Sequence, residues 1–521
     1  LAERHQVWLI ECVTDHAYAS LEDTRSVGPP RLLLLSVLFL VLAMAAYWPT
    51  LHALPVGDDW GAPLTEIVRG DLQGPWSFFA ETRQLDSYRP VQSLLIWLFG
   101  QIDEPDRWVS IRILHFISLA ISLVVTALIA RELRLGLLAS AVALGIAALH
   151  PTLAAATGSI DGFSSLLSCS AVWFGVWMMF RLRHRFALAL TCAALMLFLG
   201  TLVKEYAFAM WPAAALVALC FFDKPIRRAT ITFITMGAIA FALIWLRRFV
   251  KPDDLLLLAD HADFEFKDPK TIAFNIAMVI LGGLFTGDSL AVFVERTPML
   301  LALTGITLVL MCAFIVIGFV KAFRSNDESL GQTKFDRRWL IFLFLSPAVM
   351  SFPANTVMKI GEMYLCGVVT SVALLVGLCV QWMTRRSKIA TWITSIIFIL
   401  LAIQAFAAIR HKSYGIVEGG LDTKRQTDQI VKAVAQNSDV KKITLVFRRD
   451  LMPPRATFGA YRLAEIYHVR PPASDYLFPG RGIVIDSVMV DSSDEVSRVD
   501  LSASDVALLW NPNTKMYESL K

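Results

Sequence analysis

Along this chain the apolar residues follow neither the two-residue alternation of a half-buried strand nor the narrow stripe of an amphipathic helix. They come in long, nearly uncharged runs separated by short polar turns. A helical run of about 20 apolar residues crosses roughly 30 Å of hydrocarbon. Spans are predicted near 31–50, 108–131, 135–150, 162–180, 186–203, 206–222, 228–246, 298–320, 338–353, 361–383 and 389–410, about eleven in all. Every second turn is rich in Lys and Arg: 131–134, 181–185, 224–228, 321–338 and 385–388. The turns between them, at His150-Pro151 and at 358–362, hold almost none. Basic residues stay on the cytoplasmic side, so odd-numbered spans run outward. The outer side then collects a long first loop (51–107), His150-Pro151, Asp161, Lys204-Glu205, a second long loop (247–297), Glu362 and the polar segment 411–521.

Each long loop carries an apolar stretch, 90–102 and 271–285, too short or interrupted for a confident span. Counting either as a span would invert every later turn, so both are read as helices in the outer interface. In 411–521 the runs 443–447, 483–485 and 506–510 read as strands and 423–436 as a helix. Residues 1–30 are mixed and polar and receive no fold. They lack the basic start, short apolar core and small-residue cleavage site of a secretory signal, so 31–50 is read as an uncleaved anchor. The expected fold is an all-α polytopic membrane bundle over 31–410 with a small soluble C-terminal α/β domain over 411–521.

Composition agrees. The 521 residues are 56% hydrophobic and 18% charged, with mean hydropathy +0.57. No basic, aromatic-interleaved surface points to nucleic acid. Seven cysteines without CxxC spacing argue against a metal cluster or a disulfide framework.

Candidate chemistry begins at Gly57-Asp58-Asp59-Trp60. Each carboxylate would cost about 2.5–3.5 kcal/mol at the centre of a membrane helix, so the pair belongs at the mouth of the bundle. It could serve a substrate or cap a helix starting near Trp60. Arg89 could hold an anionic ligand or anchor the loop to lipid headgroups. His150-Pro151 could touch substrate or end a helix and fix a turn. Lys204 and Glu205 could act on substrate or pair with each other at a span end. Glu362 could pair with Lys359. The second loop holds Asp253, Asp254, Asp260, His261, Asp263 and Glu265, which could bind a divalent cation or simply be solvated. No other cofactor is implied.

Asp58-Asp59 after the first span, Ser87-Tyr88-Arg89-Pro90 later in its loop, and Arg112 opening the next span are similar to the GT-C superfamily of membrane glycosyltransferases. The order continues through His150-Pro151, Gly158 to Leu166 with Asp161, Leu202 to Glu205, and Pro353 to Glu362-Met363-Tyr364-Leu365. Over roughly 31–410 it resembles the transmembrane and tetratricopeptide-repeat O-mannosyltransferases and their bacterial relatives. Two departures stand out. Met363 replaces the Arg usual in the last acidic motif, and the α/β tail replaces the repeats. The resemblance implies an enzyme of a bacterial inner membrane, acting on its extracytoplasmic face and inverting the anomeric centre. Its partners would be a polyprenyl-phosphate sugar, an acceptor hydroxyl and membrane lipids.

Such a transfer needs a base for the incoming hydroxyl, cations for the leaving phosphate and a groove for the isoprenoid tail. Asp58 or Asp59 can supply the base, worth roughly 10²–10⁴-fold. Arg89, whose planar fork matches phosphate oxygens, is the first cation and Lys204 the second, with Tyr88, His150, Asp161, Glu205 and Glu362 in support. A transporter or flippase of lipid-linked glycans is the alternative; it would place charges near the bilayer midplane on broken, repeated helices. An inactive membrane scaffold is a third reading.

Overall fold

The computed structural model describes residues 27–55, 67, 70–71, 73–80, 88–102, 106–250, 268–284, 298–324, 331–351, 365–385, 387–436, 439–448, 474, 477–478, 480–511, 513–514 and 516–520. Helices are α1 Pro29–Tyr47, α2 Pro90–Phe99, α3 Asp106–Glu132, α4 Leu137–Leu149, α5 Phe163–Arg181, α6 Phe186–Thr201, α7 Met210–Phe221, α8 Pro225–Val250, α9 Pro269–Leu284, α10 Pro298–Arg324, α11 Gly331–Met350, α12 Cys366–Thr384 and α13 Lys388–Ala435. Five of them open on proline. At a first helical position its fixed φ is already helical and its missing N–H would have had no partner.

Within the described residues, each predicted span is helical. Among the described residues, seven helices are long and apolar enough to cross a membrane, and the protein is an integral membrane protein. The remaining expected spans are shorter or more polar. The 13 residues of α4 reach only about 20 Å at 1.5 Å per residue. The sixth expected span opens with a tight 3₁₀ turn, Glu205–Ala209, before α7. Helix α11 starts seven residues before the expected boundary, with Lys334, Asp336, Arg337 and Arg338 in its first turns. The bundle is held by close contacts. Phe180, Phe221, Trp339 and Phe342 meet with ring centroids 4.6 to 5.8 Å apart, and Trp173 Nε1 donates to Gly367 O at 3.0 Å. Outward-facing Ile393, Ile396, Leu400 and Ile403 on α13 are more than half exposed, as lipid-facing side chains should be.

Of the two loop stretches, 90–102 forms the ten-residue α2. The other forms α9, whose Gly283 lies against Val368 and Val372 of α12.

The C-terminal helix expected at 423–436 is present, though it does not begin there. It is the end of α13, which runs unbroken for 48 residues, about 72 Å. The expected boundary at 410 is therefore no break in the backbone. Beyond α13 lies a sheet of β1 Lys442–Arg448, β2 Val484–Val490, β3 Val506–Asn511 and β4 Met516–Ser519, in the order β2-β1-β3-β4. Strand β1 is parallel to both neighbours, with Ile443 opposite Ile485 and Val506. The antiparallel β4 was not expected; its four residues, mostly exposed, carry no apolar run. Ile430 and Val434 of α13 share one buried cluster with Ile443, Leu445, Phe447 and Trp510 of the sheet. Tyr517 N and Oη donate to Gln429 and Gln426 of the same helix.

The antiparallel path places the turn 158–163, the turn 201–205, the start of α2 and the end of α8 together at the end of the bundle opposite the basic turns.

Candidate active site

Three backbone features bring the site together. Val91 N donates to Leu202 O at 3.0 Å, docking the start of α2 on the end of α6. This sets Arg89, immediately before Pro90, beside Lys204 and Glu205. Next, Lys204 is extended (φ −164°, ψ 154°) before the 3₁₀ turn. From there the side chain of Lys204 reaches Asp161, and that of Glu205 reaches Arg89 and Arg247. The expected pairing of these two with each other is corrected: each pairs elsewhere. Finally, Asp161 sits in a turn that closes only because residue 162 is glycine, since a Cβ there would overlap Ala156 O.

A chain of five charged groups results. Glu205 receives Arg89 Nε at 3.0 Å on both oxygens, Arg89 Nη2 at 2.9 Å and Arg247 Nη2 at 2.7 Å. Asp161 Oδ2 receives Lys204 Nζ at 3.1 Å and has Arg89 Nη1 at 3.9 Å, while Ser159 Oγ donates to Oδ1 at 2.5 Å. Ser168 Oγ donates to Lys204 O at 2.9 Å. Among the described residues, three cations thus face two carboxylates. Burial opposes ionisation of Asp161, but Lys204 and then Arg89 outweigh it and bring its pKa down to about 2. Burial likewise opposes ionisation of Glu205, and Arg89 and Arg247 hold it well below the usual carboxylate range. Burial works against the charge of Arg89, and Glu205 more than offsets it. Tyr88 is half-buried beside the cluster and donates to Phe79 O at 3.3 Å. Burial raises its pKa, with Arg247 opposing.

Helix α3 fixes the turn that carries Asp161. The buried Arg112 donates to Thr157 O, Gly158 O, Ala53 O and Leu54 O at 2.9 to 3.3 Å. A nitrogen of His115 lies 2.7 Å from Ser159 O. One guanidinium therefore ties the start of the first long loop to the Asp161 turn. Helix α13 packs on the same region: Ile416 lies on Gly158, Gly420 on Leu54, and Lys412 Nζ donates to Pro151 O at 3.0 Å.

Of the residues singled out in the sequence, Arg89, Asp161, Lys204 and Glu205 come together, with Tyr88 beside them. His150 is held elsewhere, its ring nitrogens 2.8 Å from Thr152 Oγ1 and 2.9 Å from Gly283 O. Asp58, Asp59 and Glu362 lie outside the described residues, as does the acidic run Asp253 to Glu265. Among the described residues no three His, Cys, Asp or Glu side chains gather as a metal site. Arg247 was missed. Its signal was a pair, Arg247-Arg248, at a span end where the turns are otherwise poor in basic residues.

No family model matches the chain, and no curated protein matches it in sequence. Among solved structures it is similar to ArnT from Cupriavidus metallidurans bound to undecaprenyl phosphate. The TM-score is 0.45 and the identity 14%, over 92% of this chain and 93% of that one. The apo state of the same protein gives a TM-score of 0.42, at the same identity and coverage.

Chemically, a buried cluster in which the described residues set three cations against two carboxylates suits an anion, and guanidinium forks suit phosphate. A mostly apolar groove of about 610 Å³ lies between α10 and α13, walled by Leu303, Thr307, Ile397, Gln404 and His411 among others. It shares no lining residue with the cluster.

Proposed function

We propose that this protein is a membrane glycosyltransferase. It moves a sugar from a polyprenyl-phosphate donor to an acceptor hydroxyl at the outer face of the membrane. The observation that carries the reading is the buried cluster of Arg89, Lys204 and Arg247 around Asp161 and Glu205, at the end opposite the Lys- and Arg-rich turns. By the charge rule that end is extracytoplasmic. Its cations stabilise the charge that grows on the phosphate as the sugar leaves, where a preorganised, poorly solvated donor acts most strongly.

Asp58 or Asp59 is the proposed base. The Arg112 bonds hold Ala53 and Leu54 against the Asp161 turn, a few residues before the aspartate pair in the sequence. Direct attack by one base-activated hydroxyl inverts the anomeric carbon. Neither Asp161 nor Glu205 suits the base role, because the surrounding cations keep both acids strong.

The test uses purified protein with a panel of radiolabelled polyprenyl-phosphate sugars and an acceptor extract. Wild type is compared with Asp58→Asn, Asp59→Asn and Arg89→Ala. Expected is sugar transfer that one aspartate change abolishes and Arg89→Ala weakens. No turnover of any donor, with lipid-linked glycan still crossing liposomes that contain the protein, would replace the enzyme by a transporter.

A further inference from the structure

The two carboxylates of the cluster are not equivalent. Glu205 is 7% exposed and meets four guanidinium contacts at 2.7 to 3.0 Å; it neutralises Arg89 and Arg247 from inside. Asp161 is 24% exposed, and one of its oxygens sits where Lys204 Nζ (3.1 Å) and Arg89 Nη1 (3.9 Å) converge. Among the described residues, Asp161 is the hydrogen-bond acceptor of Lys204 Nζ. Arg89 spends its Nε–Nη2 edge on Glu205 and turns Nη1 toward Asp161. A phosphate reaching the cluster from solvent therefore meets its two available cations with a carboxylate oxygen already between them.

We propose that Asp161 is a placeholder for the phosphate of the polyprenyl carrier. This rests on the reading of the cluster as the site of that phosphate. On binding, a phosphate oxygen takes the position of Asp161 Oδ2 between Lys204 and Arg89, and the carboxylate turns toward solvent about its own side-chain bonds. The consequence falls on product release. A donor phosphodiester carries one negative charge, whereas the monophosphate left after transfer carries more and would cling to an uncovered pair of cations. A tethered carboxylate that re-enters its place competes with the product and empties the site for the next donor. Apparent affinity is the intrinsic affinity scaled by the fraction of protein whose site is open, so removing the competitor tightens binding.

The experiment measures binding of a radiolabelled polyprenyl monophosphate to the full-length protein in nanodiscs, with neutral polyprenol and inorganic phosphate as comparison ligands. Asp161→Asn is expected to bind the monophosphate roughly tenfold more tightly than wild type and to leave polyprenol unchanged. In turnover it should show correspondingly stronger inhibition by added monophosphate. Ser159→Ala, which frees Asp161 Oδ1, should shift affinity in the same direction by a smaller factor, and it decides the matter if Asp161→Asn does not fold. Lys204→Met should weaken binding. Tightening seen equally with inorganic phosphate assigns the position to the phosphate group alone rather than to the whole lipid. Unchanged or weaker monophosphate binding in both Asp161→Asn and Ser159→Ala, with Lys204→Met still weakening it, overturns the placeholder and makes Asp161 a residue that orients Lys204. If Lys204→Met and Arg89→Ala both leave binding unchanged, the phosphate-site reading itself fails.

Discussion

Glu205→Gln separates a built-in carboxylate from a surface ion pair. The side chain is 7% exposed and lies between the guanidiniums of Arg89 and Arg247, which are 17% and 4% exposed. At an effective dielectric near 20, opposite charges about 4 Å apart attract by roughly 4 kcal/mol. Removing one partner of a buried pair costs about 3–5 kcal/mol, because the other charge stays behind without compensation. Glutamine keeps the shape and one acceptor oxygen, so the lower end, about 3 kcal/mol, is expected. Two guanidiniums then face each other across a neutral amide. The assay is the thermal unfolding midpoint of purified protein in detergent, for wild type, Glu205→Gln, Arg247→Met and the double variant. Glu205→Gln should unfold well below wild type, and adding Arg247→Met should recover part of the loss, since it withdraws one of the stranded charges. An unshifted midpoint for Glu205→Gln, or losses that simply add in the double variant, would refute the reasoning and return Glu205 to the class of solvated ion pairs worth little.

Two further outcomes are expected. Gly420→Ala places a Cβ 2.8 Å from Leu54 N and 2.9 Å from Leu54 O, closer than real contacts allow. It should cost about 1–3 kcal/mol as α13 or the start of the first loop gives way, and transfer should fall with it; Gly305→Ala, whose Cβ meets nothing within 4 Å, is the control for both readouts. For pH, the folded pKa of Asp161 is about 2 against an ordinary 3.8, so its stabilising effect is complete above the ordinary value and is lost as pH falls through about 2. The difference in unfolding midpoint between wild type and Asp161→Asn should hold constant from pH 8 to 5 and shrink below 4. Any acid limb of the rate profile above pH 4 should keep its position in Asp161→Asn, because it belongs to another group.

Run length and turn charge, which need no tertiary information, placed all the predicted spans and the end at which the polar residues collect. Crossing hydrocarbon forces apolar runs of fixed minimum length, and basic residues resist translocation. The same logic exposed Asp161, Lys204 and Glu205, since a charge at a span end is conspicuous against an apolar background, while Arg89 stood out just before the apolar stretch of the first loop. Pairing was not legible. Lys204 and Glu205 are neighbours in sequence, yet their partners come from 43 residues before Lys204 and from 116 before and 42 after Glu205. Arg247 was missed because only the return of α8 to the α6–α7 turn makes it a partner of Glu205. The continuity of α13 was equally hidden: its apolar half answers to lipid and its polar half to the sheet and the loop turns, so one helix carries two patterns that read as two elements. What the sequence determined by itself was which segments cross the membrane and which charges stand at their ends, because solvation acts on each segment alone. What only the tertiary structure decided was which of those charges face one another, because that depends on helix packing and on the direction each backbone turn gives its side chain.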